Sequence, residues 1–241
     1  MTISWRKQQA LLEKAAYDVG KGLYPTDLII LQDGFEDGVY WPTLAGTGAD
    51  WGVAQSAAQA LQGQYSLLIK TRAVGAALND IAQATRQVGL SLAPANADFV
   101  LKGSFFIPTG QLALLQDLRL GLLYWTGAQR LEAFIQYHTP TGQWGYPDAG
   151  WVFVPFADTA ANLALGQDAW LSIKFRFNAT LGRATLANIG GIEIDISDMH
   201  IKAAAVAAMP SLAPDLLLRT AGAAQVQVYF DNIELLAGRL W

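Results

Sequence analysis

The chain has no cysteine among its 241 residues, which removes disulfides, thiolate metal sites and a cysteine nucleophile together. A domain of this length can bury an adequate core without cross-links, so the absence carries no message about compartment. Charge is scarce as well. Charged residues make up 15% of the chain, against about 25% in an ordinary soluble domain. Sixteen basic and twenty acidic residues leave a net charge of −4, and Arg6 with Lys7 is the one tight basic group. A phosphate-tracking groove needs a basic stripe, so nucleic-acid binding is excluded. The only two histidines, His138 and His200, lack the neighbouring ligands of a zinc site. No apolar run approaches the length of a membrane span. Trp5, Arg6, Lys7, Gln8, Gln9, Glu13 and Lys14 stand where the apolar core of a secretion signal would lie. The expectation is a product that stays in the cytoplasm where it is made, unless a leader has been removed, with a virion or particle surface as its further destination.

Apolar side chains are abundant instead, at 52% of residues, with 11% aromatic. With little charge to spread over its surface, the protein is expected to bury part of it against other subunits, because large exposed apolar patches mark interaction sites. A large core under a weakly charged surface is the other reading. Ser4 as N-cap, the recurrence of Leu12, Ala15, Ala16 and Val19, the stops Gly20 and Gly22, and Pro25 predict a helix over 4–20. Its narrow apolar strip suits packing on the main domain or reaching a neighbouring subunit. Residues 1–27 thus read as an N-terminal arm and 28–241 as one domain.

From residue 28 the pattern turns to short β-rich runs separated by turn residues, as in a sandwich or barrel. Strands are expected over 28–31, 34–36, 65–71, 82–92, 98–107, 117–125, 131–138, 150–155, 170–178, 192–196, 200–207, 215–220 and 225–235. Lys174 to Asn178 and Gln225 to Phe230 alternate apolar with polar, the mark of a sheet with one face buried. Leu118 to Trp125 is apolar almost throughout. It is either a central strand covered on both faces or part of an intersubunit contact.

The order of an acidic opening strand around Phe35 and Glu36, a Trp-Gly turn at Trp51, the strand containing Tyr65 and Ser66, and a closing strand through Phe230, Asp231 and Asn232 resembles the jelly-roll carbohydrate-binding modules. It is similar also to the concanavalin-like and laminin-G-like sandwiches, a fold shared with virion structural proteins. Trp170 to Asn178, Leu181 to Leu186 and Ile192 to Ile196 look like the laminin-G-like series of hairpins. The resemblance spans roughly residues 28 to 237 and implies an all-β, two-sheet antiparallel jelly roll with neighbouring first and last strands. It further implies a structural Ca²⁺ where those strands meet, held by Glu36 or Asp33, a backbone carbonyl within 63–66, and Asp231, since calcium takes hard oxygen ligands.

The residues for catalysis are thin. Glycoside hydrolysis needs two carboxylates about 5 to 5.5 Å or about 6.5 to 9.5 Å apart, and Glu193 and Asp195, two apart on a strand, stand roughly 6.5 to 7 Å apart by strand rise. Where retaining enzymes of the resembled fold carry a third acid as Glu, this chain has Asp198. No serine sits in a Gly-x-Ser-x-Gly elbow, and the turn from Gly46 to Gly48 lacks the lysine and helix of a phosphate loop. No enzyme is expected.

The remaining chemical signal is aromatic. Trp144, Tyr146 and Trp151 stand around a Gly/Pro-rich hairpin tip with Gln143 and Asp148. Flat rings beside polar groups suit stacking on sugars, a protein contact, or core packing. The expected function is a non-catalytic structural subunit of a virion or similar large particle, a decoration or minor shell protein that acts through contacts with other subunits, as a homo-oligomer. The alternative is a carbohydrate-binding module that recognises glycans through the aromatic loop.

Overall fold

The computed structural model describes residues 28–41, 43–90, 98–178 and 181–237. The predicted N-terminal helix and arm lie outside them. Among the described residues seventeen strands, numbered in chain order, form two antiparallel sheets. The eight-stranded sheet runs β14 (Ile192–Asp195), β13 (Arg183–Ile189), β12 (Trp170–Asn178), β7 (Asp98–Phe106), β17 (Gln227–Ala237), β4 (Ser66–Lys70), β3 (Gly52–Ser56), with β1 (Leu28–Asp33) also on β17. The nine-stranded sheet runs β11 (Phe153–Pro155), β10 (Gln143–Pro147), β9 (Gln129–His138), β8 (Leu115–Trp125), β16 (Ser211–Thr220), β5 (Ile81–Thr85), β2 (Thr43–Gly46). Two short strands complete it, β15 (Lys202–Ala205) on β9 and β6 (Val88–Gly89) on β16.

The first and last strands pair, Asp33 opposite Ile233. β1 and β4 lie end to end along β17, and the ladder of β17 with β7 shifts register between Asp231 and Glu234. Asn232 takes a positive φ of 49° at this bulge, a conformation asparagine tolerates better than most residues. The run 34–36 is not a strand. Phe35 adopts φ 60° and the chain turns after Asp33, whose carboxylate accepts hydrogen bonds from Phe35 N, Trp41 Nε1 and Arg86. The expected strand 82–92 is two, β5 and β6, while β2, β3 and β10 went unpredicted because their short runs hold glycine or small polar residues.

Alternation builds the core. Ile173, Phe175 and Phe177 of β12 and Leu118, Leu120, Leu122 and Tyr124 of β8 all point between the sheets and are buried. Tyr124 bridges the layers, its ring 5.4 Å from Phe99 and 6.4 Å from Phe177. Truncating such a ring to alanine costs about 3–5 kcal/mol. The nearly continuous apolar run of β8 has a simple cause. Its even-numbered residues fill the main core, while Leu123 joins Phe134 and Ala213 in a small cluster on the opposite face, with Trp125 packed against it. β8 is therefore a central strand.

Gly145 lets β11 approach β10, because a Cβ there would stand 2.0 Å from the carbonyl oxygen of Val154 and 2.8 Å from Pro155 Cα. Neither obstacle is a flexible side-chain end. Gly145→Ala is expected to lower stability by about 1–3 kcal/mol, read as a fall in the urea midpoint at unchanged m-value.

Candidate functional site

Antiparallel register fixes which side chains share the outer face of the nine-stranded sheet. Asp117 lies opposite His138, Arg119 opposite Gln136, Gly121 opposite Phe134 and Leu123 opposite Glu132. On the other flank of β8, Arg219 faces Asp117 and Asp215 faces Gly121, while Lys202 of β15 faces Glu132. Asp215 in turn faces Thr85 of β5. The result is a band of charged and amide side chains across five strands, most of it buried. Gly121 clears the floor of the band, since a Cβ there would meet the Phe134 ring at 2.3 Å.

One network runs along its upper rows. Arg119 Nε donates to Gln136 Oε1 at 2.8 Å, and Gln136 Nε2 donates to Asp117 Oδ1. The same carboxylate meets His138 Nδ1 at 2.7 Å and Arg219 Nη1 at 3.2 Å. His138 also stacks on Phe153, 4.7 Å between ring centres. Holding Nδ1 on a buried carboxylate leaves Nε2 as the ring's working nitrogen. Lower down, Asp215 Oδ1 accepts from Gln83 Nε2 at 2.7 Å and from Thr85 Oγ1 at 2.5 Å, and Arg130 pairs with Glu132.

Several polar atoms of this face remain without a hydrogen-bond partner among the described residues: Arg119 Nη2, Lys202 Nζ, Asp215 Oδ2, Arg130 Nε and Arg219 Nε. Unpaired buried polar atoms are costly and rare, so their concentration here marks the face. Burial, followed by the neighbouring Arg219, pulls the Arg119 guanidinium down to about 10, against the opposing pull of Asp117 and Asp215. Burial likewise lowers Lys202 and raises Asp215.

Trp151 covers two of these cations. Its ring centre lies 3.2 Å from Lys202 Nζ, 5.1 Å from Arg119 Cζ and 5.6 Å from the centre of Phe134. Such cation–π contacts contribute roughly 0.5–2 kcal/mol each. Trp151 as a residue is still 46% exposed, so it offers surface to solvent while resting on the band. Asp148 shapes the turn that carries it, accepting from Val152 N through Oδ1 at 2.8 Å and from Trp151 N through its carbonyl at 3.0 Å. Trp151 itself holds φ 64°, an uncommon conformation for a bulky residue.

The structure divides the predicted aromatic tip. Trp144 and Tyr146 do share one face of β10, but it is the inner one. Both are buried, Trp144 against Phe105 and Tyr137, Tyr146 against Phe156. They form no surface platform, because period-two alternation sends both rings between the sheets. Gln143 bonds Asn162 Oδ1 at 3.1 Å. Trp151, on its turn positioned by Asp148, is the one predicted ring that reaches the face. The charged band itself was missed. Its residues are scattered over five strands, and only the alternation of polar side chains in β8, β9 and β16 hinted at them. Glu193 and Asp195 sit exposed on β14 at the edge of the other sheet. Hydrogen bonds from the Ser197 side chain and backbone hold Asp195 below its usual range, the opposite of what a catalytic acid needs.

The proposed calcium ligands are brought together. Glu36 Oε1 accepts from Gln64 N and Tyr65 N at 2.9 and 3.0 Å, and Asp231 Oδ2 from Leu61 N and Gln62 N at 2.8 and 3.1 Å. Asp231 Oδ1 accepts from Asn232 N at 2.7 Å. Burial and, more weakly, the charge of Glu36 raise Asp231, while the amides lower it. Amide hydrogens thus point at oxygens that a calcium ion would need, and Asp33 is committed to Trp41 and Arg86. In this arrangement the pair fits an anchor for the loop 59–65 better than a calcium cage of six to eight oxygens.

No family model and no curated protein matches the chain in sequence. Solved structures match its fold. An alginate lyase, Aly36B, in complex with alginate trisaccharide aligns at TM-score 0.51 and 11% identity, over 90% of this chain and 99% of that one. An endo-1,3-beta-glucanase from Streptomyces sioyaensis aligns at 0.49 and 13%, over 89% and 98%. A structure of carbohydrate-binding modules of the beta-sandwich superfamily aligns at 0.38 and 15%, over 84% of this chain and 60% of that one, so the chain spans less than two thirds of its length. At 11% identity the likeness to the alginate lyase structure shows the fold alone.

Two measurements check this electrostatic picture. Asp215 is raised when folded, so the stability it contributes is full below its unfolded pKa and is lost as pH rises through its folded one. Asp215→Asn should therefore gain on wild type across that window in urea titrations at stepped pH, and hold a constant lead above it. Chelator should leave the melting temperature of wild type unchanged, because amides already satisfy Glu36 and Asp231, whereas Asp231→Ala should cost about 1–3 kcal/mol with or without calcium. A calcium-dependent rise in melting temperature would show an ion displacing those amides.

Proposed function

We propose that this protein binds carbohydrate without cleaving it, through the outer face of the nine-stranded sheet. The observation that carries this reading is the half-exposed Trp151 ring lying over a band of buried polar atoms that lack partners. Sugars present flat C–H faces that pack on aromatic rings, and hydroxyls that both donate and accept hydrogen bonds. Trp151 supplies the ring. Arg119, Lys202 and Asp215 supply donors and an acceptor without partners of their own.

The particle-subunit expectation finds no comparable support. Neither the fold nor its neighbours points to a virion, while the carbohydrate-binding alternative agrees with neighbours that include modules described as carbohydrate-binding. The binding surface differs from the one expected, since only Trp151 and Asp148 of the aromatic tip contribute. A second reading, an enzyme acting on a polysaccharide at the same face, is favoured by the contact of His138 Nδ1 with buried Asp117. Loss of polymer chain length on incubation with the protein would decide for it.

In titrations with a panel of soluble oligosaccharides, wild type should bind at least one class with a change in tryptophan fluorescence. Trp151→Ala should weaken that binding about tenfold or more, the scale of one lost stacking contact in a binding site, with a fall in stability of roughly 1–3 kcal/mol from its two lost cation–π contacts. Trp144→Ala should instead destabilise the fold by about 3–5 kcal/mol.

A further inference from the structure

The band holds more than a neutral sugar requires. Its cations are Arg119, Arg130, Lys202 and Arg219, and its acids are Asp117, Glu132 and Asp215, with Asp148 acting on Lys202 from the covering turn. Arg130 pairs with Glu132 and Arg219 with Asp117. Asp117 also serves His138 and Gln136, and Arg119 Nη2 stands 3.9 Å from its nearer oxygen, beyond hydrogen-bond reach. Among the described residues four cationic nitrogens are buried without an acceptor; Arg130 Nε and Arg219 Nε belong to guanidiniums already paired through another nitrogen, which leaves Arg119 Nη2 and Lys202 Nζ as the two whose groups have no close ion pair. Arg119 as a whole is 1% exposed.

Both nitrogens belong to side chains that rest on Trp151. An indole face attracts a cation but offers no lone pair to its N–H groups, so it shields the pair without satisfying it. A carboxylate would satisfy both, one oxygen to each nitrogen, in charge-assisted hydrogen bonds stronger than those a neutral hydroxyl makes. We infer that the face recognises an acidic glycan, with the carboxylate of a uronate residue held between Arg119 Nη2 and Lys202 Nζ in place of the Trp151 ring. This rests on the carbohydrate-binding reading and names the class of ligand. The ring, carried on the turn 148–152 with Val152 and Trp151 exposed, moves from the cations onto the face of the sugar as the carboxylate enters. Gln136 and Asp117 are positioning residues, since they hold the Arg119 fork through its Nε.

The test is calorimetric titration of the full chain with trigalacturonate, with the neutral trisaccharide cellotriose, and with a sulfated trisaccharide. Trigalacturonate should bind at least about tenfold more tightly than cellotriose, with affinity falling as salt rises. Lys202→Met keeps the length of the side chain and should weaken trigalacturonate binding about tenfold but cellotriose binding by a smaller factor, so that the ratio of the two affinities falls. Arg119→Lys, the milder change at a fully buried position, should weaken it as well. Equal affinity for trigalacturonate and cellotriose, or a Lys202→Met variant that binds trigalacturonate like wild type, overturns the inference but leaves carbohydrate binding standing. Preference for the sulfated sugar overturns the carboxylate assignment. Failure to bind any glycan, in these titrations and in the wider panel, overturns both readings.

Discussion

Everything in this protein hangs on the register of three long strands, β8, β9 and β16. Each residue of β8 between Asp117 and Trp125 has a partner on both flanks. A slip of one residue would turn every side chain to the opposite face. In the observed register, Leu118, Leu120, Leu122 and Tyr124 close the core with the opposing sheet, and Asp117 and Arg119 come to lie beside Gln136, His138 and Arg219. Core and site are two faces of the same ladder. The hydrophobic gain on one side therefore holds charged groups in place on the other, where on their own they would prefer water.

That coupling explains how a chain so poor in charge keeps so much of it buried in one place. Burying a charge is tolerated when it is paired and bonded, and Asp117 is the hub that makes this possible, with Gln136, His138 and Arg219 on a single carboxylate. Arg119 Nη2 and Lys202 Nζ are left without a hydrogen bond among the described residues, and Trp151 stands over them. The turn that delivers Trp151 depends on β10 and β11 approaching at Gly145, so a backbone constraint on one edge of the sheet determines what covers its middle. The eight-stranded sheet shows the same economy at Asn232, where a bulge brings Asp231 under the backbone amides of 61 and 62.

Much of the architecture was legible. Alternation in Lys174 to Asn178 marks a strand that exists as read, that in Gln225 to Phe230 marks β17, which starts two residues later at Gln227 and runs to Ala237, and the hairpin series from Trp170 to Ile196 is β12, β13 and β14 in order. The pairing of first and last strands followed from the resemblance of the chain's two ends to jelly-roll modules. What misled was local. Phe35 reads as strand but takes a left-handed turn, because Asp33 caps the turn and commits its carboxylate to Trp41 and Arg86. Trp144 and Tyr146 read as a surface tip because glycine and proline surround them, yet the strand they occupy is covered by Phe105, Tyr137 and Phe156.

The sequence by itself determined the fold class, the absence of thiol chemistry, and which segments alternate, since each of these depends on composition or on spacing within one strand. Only the tertiary structure decided which face of each strand looks outward and which strands lie side by side. Arg119, Gln136, Lys202 and Asp215 are far apart along the chain, and nothing in their own neighbourhoods distinguishes them from solvated residues of an amphipathic strand. They become a site because antiparallel pairing sets them on adjacent rungs, and because a turn thirty residues from Arg119 lays an indole over the charges that pairing leaves unsatisfied.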